Sequence, residues 1–433
     1  MMIALEKISQ SETIDRLLPG FIAQLHIADA LALAFLRWVL EKNFSAAVNA
    51  AIMGRLDRVD QPNPEILLLR SACFFMVGDV AKSEAIAEEV AKVAPVFLTA
   101  HSDTQKFVVA VLNRPSPVVI RPMSLAEFHF SENTPSSLFK QFSQDLRLLS
   151  FFPNAAANLQ MSKLDVRPDI VLNNWATAEM LAIPGVLEMV NGALEGLDIP
   201  VLNAPRKAAL TTRQRNAENL KNVEAVVVPK VVRFENWTGN QISVALMLEQ
   251  EIGYPLILRE PFQQMGLGAI KVQTPDALLA ALATLGAGQF YAIAFVDNPL
   301  APSLYRKFRA AVIGQKIFIT HVHFGTDWSV HRIREEELRS RVKARVRQFP
   351  RAQVLLDDSD SEESKLVMRA LDGLRKEIPL DIFGIDFDVM PDGRVLFFEA
   401  NAAMNISFGE ARGNVVTRAN MKAAFLDLVG SLT

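Results

Sequence analysis

The stretch FGIDFDVMPDGRVLFFEANAAM, residues 383–404, constrains this chain most, because it sets Asp386, Asp388, Glu399 and Asn401 among large apolar side chains. Residues 384–389 and 394–400 alternate with period two, and Pro391-Asp392-Gly393 between them is turn chemistry, so the segment reads as a β-hairpin. With Asp392-Gly393 as a two-residue loop, Pro391 faces Arg394, Asp386 lies opposite Glu399, and Asn401 lies opposite Gly384. One face then carries Ile385, Phe387, Val389, Leu396, Phe398 and Ala400. The other carries Asp386, Asp388, Glu399 and Asn401 beside Phe397. A three-residue loop would slip the pairing by one residue and carry the carboxylates into the apolar face. Carboxylates placed opposite each other have Cβ atoms about 4.5 to 5.5 Å apart and repel unless a cation lies between them. Two carboxylates and an amide are oxygen ligands that suit Mg2+ or Mn2+. Taken alone, the stretch reads equally as a solvated face whose acids pair with nearby arginines.

A chain of 433 residues has room for two or three domains with substantial cores. Hydrophobic residues make up 50% and charged residues 21%, the balance of a globular protein. With 45 basic and 48 acidic side chains the net charge is −3, which gives no argument for nucleic acid or an anionic membrane as partner. A single cysteine, Cys73, excludes an internal disulfide and a cysteine-cluster metal site; among Ala72, Phe74 and Phe75 it reads as a small core residue of a protein in a reducing cytoplasm. No apolar run reaches the length of a membrane span, and MMIALEKISQSETIDR lacks the regions of a signal peptide.

Residues 22–94 read as helical, with a loose internal repeat in which Lys42-Asn43-Phe44-Ser45-Ala46-Ala47 matches Gly78-Asp79-Val80-Ala81-Lys82-Ser83 at an offset of 36. Both a tetratricopeptide-type pair of helical hairpins and an ordinary helical bundle accommodate this pattern. Beyond Pro95, short apolar runs (VVAVLNR, PDIVLNN, IPVLNAP, EAVVVPKVVRF) alternate with helical segments such as SSLFKQFSQDLRLL and TTRQRNAENLK, which implies βαβ units and a largely parallel sheet. From about 240 the order is helix, strand IGYPLILRE, the glycine-containing QQMGLGAIKV, helix TPDALLAALATL, and strand FYAIAFVD. Strands RKFRAAVIGQKIFI and THVHFG follow, then a charged helical region, the acidic loop at 357–364, and the opening hairpin.

No phosphate-binding loop, dinucleotide fingerprint or protein-kinase set is present. What remains is a basic residue closing a strand, Arg259, then a glycine loop with Gly266 and Gly268, then the acidic hairpin. That combination sets a fixed cation and backbone N–H groups around phosphates. Together and in this order the parts resemble the ATP-grasp superfamily of carboxylate-amine ligases, over roughly residues 110–430. The resemblance implies an α/β fold (an α+β ATP-grasp core) behind an all-α front. It divides the chain into a helical, tetratricopeptide-like domain at 1–105, an α/β domain with parallel sheet at 106–205 and an ATP-grasp domain at 206–433.

It further implies Asp386, Glu399 and Asn401 as ligands of Mg2+ (or Mn2+). Arg259 and Arg213 stand where the family has phosphate-binding lysines, and a planar fork is not interchangeable with an ammonium. Residues 263–271 would be the loop over the phosphates, Ala294 and Phe295 the backbone hinge receiving adenine, and Arg309 the arginine aimed at the transferred phosphate; Arg309 and Arg259 are thus the implied catalytic residues. Arg309 also reads as a strand arginine paired with a neighbouring acid. His321 and His323 share one face of their strand and read as substrate-facing rather than as a transition-metal site; Asp327 and His331 read equally as surface residues. The function implied is an ATP- and Mg-dependent ligase joining a carboxylate to an amine through an acyl phosphate. The substrates would be small molecules, or a peptide or protein held by the helical front. A kinase of a hydroxyl compound and a catalytically inactive nucleotide-binding scaffold are the alternatives, and a homodimer stays open.

Overall fold

The computed structural model describes residues 12–25, 30–41, 45–60, 63–98, 106–112, 118–119, 129–130, 146–153, 160–175, 177–262, 268–330, 340, 342–344, 346, 361–402, 404, 406 and 415–433. Residues 1–133, 143–171 and 189–198 form one compact unit, and residues 134–142, 172–188 and 199–433 form a second.

The first unit opens with helices α1 (Glu12–Ile22), α2 (Ala30–Glu41), α3 (Ala46–Leu56), α4 (Pro64–Met76) and α5 (Val80–Val93). Each of the last two starts where its sequence asks: Asn63 accepts from Ile66 N at the N-cap of α4 with Pro64 following, and Asp79 accepts from Lys82 N at the N-cap of α5. Ser71 and Ser83 lock these helices together, each hydroxyl donating to the other residue's carbonyl at 2.9 and 2.7 Å, which small side chains permit by letting the backbones approach. Ala30 and Pro64, and likewise Ala46 and Val80, are separated by 34 residues, so the helix starts recur at 34 rather than 36. Cys73 is fully buried in this core, and burial, with Asp57 nearby, pushes its thiol up to about 12.

Strand β1 (Val96–Leu98) follows directly, then β2 (Phe107–Leu112), the short pair β3 (Val118–Val119) and β4 (His129–Phe130), and β5 (Leu146–Phe151). Leu146–Leu149, the end of an expected helix, is thus strand; β5 runs parallel to β2 and antiparallel to β1, with Leu146, Leu149 and Phe151 buried. β6 (Ile170–Asn173) lies beside β2 in the strand order, and its chain runs on into the second unit.

That unit contains the remaining elements: α6 (Ala178–Leu181), the start of α7 (Val186–Ala193), β7 (Val201–Leu202), α8 (Pro205–Ala208), α9 (Arg213–Leu220), β8 (Val226–Val227), β9 (Val231–Asn236), α10 (Gln241–Glu251), β10 (Leu256–Arg259), β11 (Ile270–Val272), α11 (Pro275–Leu285), β12 (Gly288–Ala294), β13 (Tyr305–Ile313), β14 (Lys316–Gly325), α12 (Glu362–Glu377), β15 (Ile382–Val389), β16 (Val395–Asn401) and α13 (Val415–Leu432). Two sheets dominate, ordered β11-β10-β12-β9 and β14-β13-β15-β16-β8. Apart from β8 beside β16, the described pairings in these two sheets are antiparallel, whereas in the first unit β2 and β5 run parallel, the arrangement expected of the strands beyond Pro95. Tight turns join β13 to β14 and β15 to β16 directly, a connection that antiparallel neighbours allow. β13 and β14 turn at Gly314, whose φ is 56°, so the strand boundary expected near Thr320 falls five residues earlier. Helices α10 and α11 pack on the first sheet around Leu248, Leu256, Leu258, Leu278, Leu282 and Phe290. Helix α9 touches both β9 and β16 and so bridges the two sheets.

The start of β15 is held by Asn203. Its side chain donates to Ile382 O at 2.6 Å and accepts from Asp381 N at 2.8 Å and Ile382 N at 3.0 Å, while its own N–H donates to Asp381 at 2.7 Å. Its φ of 51° lies in the left-handed region, which asparagine tolerates better than most residues. Among the described residues no helix is long and apolar enough to cross a membrane. Asn203→Ala strands three buried backbone groups, and denaturant unfolding should record a loss of about 3 kcal/mol or more.

Candidate functional site

The hairpin of β15 and β16 places Asp386 directly opposite Glu399, Ile385 opposite Ala400 and Gly384 opposite Asn401. Nearer the turn the expected pairing fails by one residue: Phe387 faces Phe397, Asp388 faces Leu396, and Met390 N donates to Arg394 O. The loop is therefore the three-residue Pro391-Asp392-Gly393, closed by Gly393 at φ 83°, and a bulge beside Asp386 restores the register where the carboxylates sit. Phe397 consequently packs on the buried side and Phe398 is half-buried at the bulge, the reverse of their expected placement. Gly384 has its own constraint: a Cβ there would lie 2.4 Å from Met404 Sδ and 2.8 Å from Met404 Cβ, so the chain after Asn401 can fold back over it only if it is glycine.

The neighbouring strand supplies the cations. β13 pairs with β15 so that Arg309 lies opposite Asp386, and β14 pairs with β13 so that His321 lies opposite Arg309 and His323 opposite Lys307. One row across the sheet thus reads His321, Arg309, Asp386, Glu399. A second bulge, after Arg309, marks the other side of this row. Beneath it Phe308 and Phe387 stack with centroids 5.5 Å apart and fix the strands' spacing.

Asp386 is 3% exposed. Arg309 grips both of its oxygens, Nε to Oδ1 at 2.7 Å and Nη2 to Oδ2 at 2.9 Å, and Lys307 Nζ lies 3.1 Å from Oδ2. Burial works to raise this carboxyl, but Lys307 and then Arg309 outweigh it and hold the group well below the usual carboxylate range. Glu399 is paired with Arg213, whose Nη1 also donates to Phe398 O at 3.0 Å; burial opposes ionisation here too, and Arg213 keeps the acid's pKa low. Arg213 is the first residue of α9, and its backbone N–H donates to Glu179 at 3.1 Å, as does the Tyr291 hydroxyl at 3.2 Å. Arg259, at the end of β10 opposite Tyr291, feels Arg213, Glu399 and Glu179; burial first and Arg213 second bring it down to about 10.

The two arginines expected to share a phosphate-binding role are thus brought together beside Glu399, and Arg309 joins the row through Asp386. Every acid of the row has a basic partner, as in the second reading of the hairpin. Asp388 leaves the group: Arg306 Nε holds it at 2.8 Å and Asn298 Nδ2 at 2.8 Å in a separate buried cluster. Ala294 ends β12 and Phe295 follows it, but their N–H groups donate to Lys230 O and Pro255 O, so neither is a donor for a base. Lys271 Nζ sits 3.6 Å over the Phe295 ring, which Trp328 meets edge-on. Gly268 is left-handed at φ 68°, whereas Gly266 and the rest of 263–267 lie outside the described residues, as does His331. Asp327 is exposed and accepts from Trp328 N at 2.7 Å. The sequence reading missed Lys307, Glu179 and Tyr291. Lys307 is two residues from Arg309 and hence on its face, a signal that strand periodicity contains; Glu179 is in a four-residue helix far upstream and has no such signal.

No protein-family model and no curated protein sequence matches the chain. Solved ATP-grasp structures are among those it resembles. D-alanyl-alanine synthetase A from Vibrio cholerae is 11% identical with a TM-score of 0.47, covering 76% of this chain and 98% of that one. A RimK domain ATP-grasp protein from Sphaerobacter thermophilus is 12% identical with a TM-score of 0.41, covering 75% and 98%. The ATP-grasp ligase PsnB, solved with a minimal precursor, Mg and ADP, is 15% identical with a TM-score of 0.42, covering 75% and 98%.

The imidazoles of His321 and His323 stack at 5.7 Å. Burial, His321, Lys307 and Arg309 bring His323 down to about 4 against the opposing pull of Asp386. Unfolding restores its ordinary value of 6.5, so the unfolded chain binds the extra proton between 6.5 and about 4, and stability falls as pH drops through that window. Thermal melts of metal-free protein should show this loss, with His323→Phe flattening the profile there relative to wild type.

Proposed function

We propose that the chain is an ATP- and Mg2+-dependent ligase that activates a carboxylate as an acyl phosphate and passes the acyl group to an amine. One observation carries this reading: Asp386 and Glu399 stand in register on one sheet face while Arg213, Arg259, Lys307 and Arg309 converge on them from two strands and a helix. The donor set fits a hard divalent ion. Both carboxyls are held ionised, they face each other across a hairpin, and Asn401 follows Glu399 at the same-face spacing. Asp386, Glu399 and Asn401 would hold the ion, which would supply positive charge to offset that of the phosphates.

The chain's own residues do the rest. Arg213 and Arg259 share Glu399 and Glu179, so a phosphate group arriving beside them meets two guanidinium groups that are already fixed in place, with no reorganisation at the moment of transfer. Arg309 is oriented by Asp386 toward the same row. No side-chain nucleophile is needed, and Cys73 is buried with a raised pKa. As the phosphoryl group moves to the substrate carboxylate, negative charge shifts between groups that these arginines span. The amine then attacks the acyl carbon, the C–O bond to phosphate breaks, and phosphate leaves as the nitrogen gives up a proton to become the amide. With Ala294 and Phe295 committed as donors, we assign Lys271, Phe295 and Trp328 as the wall against which the base packs. We assign residues 1–105 to recruitment of a peptide or protein substrate, 106–205 to an α/β domain and 206–433 to the ATP-grasp domain. Its setting would be the reducing cytoplasm that a free thiol tolerates.

Melts with ATP should shift markedly more with Mg2+ than without it, and Glu399→Gln should erase that difference while keeping the fold. Equal stabilisation in both conditions contradicts the site. Turnover should release ADP and phosphate, and hydroxylamine should trap the carboxylate substrate as a hydroxamate when the amine is left out. A stable phosphate ester would point to a kinase, no ATP consumption to a scaffold, and AMP with pyrophosphate would end the acyl-phosphate mechanism.

A further inference from the structure

Lys307 lies on β13 two residues before Arg309, opposite His323, with its Nζ 3.1 Å from Asp386 Oδ2. A carboxylate offers about four lone-pair directions. Arg309 Nε, Arg309 Nη2 and Lys307 Nζ occupy three of them on Asp386. The two basic side chains are 19% and 15% exposed, so water screens their charges poorly.

The charge balance of the whole row decides what can enter. Arg213, Arg259, Lys307 and Arg309 face Asp386, Glu399 and Glu179, four cations against three carboxylates, which leaves one positive charge. A bare divalent ion would raise that to three positive charges in a buried setting. A nucleotide triphosphate alone, with roughly four negative charges, would leave about three negative ones. The two together come within one charge of neutral.

Resting on the ligase reading above, we propose that Lys307 excludes a bare divalent cation from Asp386, so that metal and triphosphate enter as a unit and Lys307 exchanges Asp386 for a phosphate oxygen. Lys307 is then a gate on the order of binding. Removing its charge makes the carboxylate pair accessible to metal alone; keeping the charge in another shape does not.

The test is titration of nucleotide-free protein with Mn2+, read by the electron paramagnetic resonance signal of free Mn2+. Lys307→Met and Lys307→Gln should bind Mn2+ alone at least about tenfold more tightly than wild type, and Lys307→Arg should stay as weak as wild type. Equal affinity in all four proteins, or an equal gain in Lys307→Arg, overturns the gate. If both neutral variants fail to fold, thermal melts of wild type decide. Mn2+ plus a non-hydrolysable ATP analogue should raise Tm by more than the separate shifts combined, and additive shifts overturn the proposal. A wild type that shows no joint shift at all loses the nucleotide site itself. A joint shift with Lys307→Met no better at binding Mn2+ alone removes only the role of Lys307.

Discussion

Two carboxylates facing each other across a buried hairpin are what the second unit is arranged around. Asp386, buried, and Glu399, half-buried, would repel at this spacing, and desolvation alone would drive both toward the neutral form. Their ionisation is bought by cations from separate elements: Lys307 and Arg309 from β13, Arg213 from the first turn of α9, and Arg259 from the end of β10. Because these elements belong to two different sheets, the electrostatics of one hairpin bears on how the unit is assembled.

Such an arrangement is a poor way to gain stability. Burying a pair costs desolvation that the attraction only partly offsets, and an apolar replacement of the same shape is often as stable. A cluster with surplus positive charge, guanidinium forks and ionised acids is what the proposed receptor for a multiply charged ligand with its counter-ion would require. Glu179 contributes by tying the backbone of Arg213 to Tyr291, which keeps the helix start and the β12 strand in one place. The bulges on each side of the row serve the same end, since each resets the strand register just where a side chain must point at the site.

Much of this was written in local patterns. Period-two alternation and the Pro-Asp-Gly turn located the hairpin, and the opposition of Asp386 to Glu399 followed from keeping acids off the apolar face. The route to that opposition was different from the one the pattern suggested. The turn takes three residues, with Gly393 supplying the left-handed position, and Phe398 is displaced at a bulge so that the pairing recovers before Glu399. Alternation cannot reveal this, because Phe397 and Phe398 are the same residue type and either satisfies the core. The parallel pairing expected from strand-helix alternation beyond Pro95 is present between β2 and β5, whereas Leu146–Leu149, the end of an expected helix, is strand because LRLL suits either a helix face or a half-buried strand.

By itself the sequence determined the α/β class, the helical front and the acidic hairpin, since each rests on spacing within a short segment, while Arg213, Arg259 and Arg309 were singled out by resemblance to a family. Only the tertiary structure decided that Asp388 leaves the row for Arg306, that the N–H groups of Ala294 and Phe295 are already spent, and that Lys307 and Glu179 belong with the arginines. Those facts depend on which strand lies beside which and in what register. Contacts such as Arg213 with Glu399, 186 residues apart in the chain, are set by packing of whole elements, which no local pattern encodes.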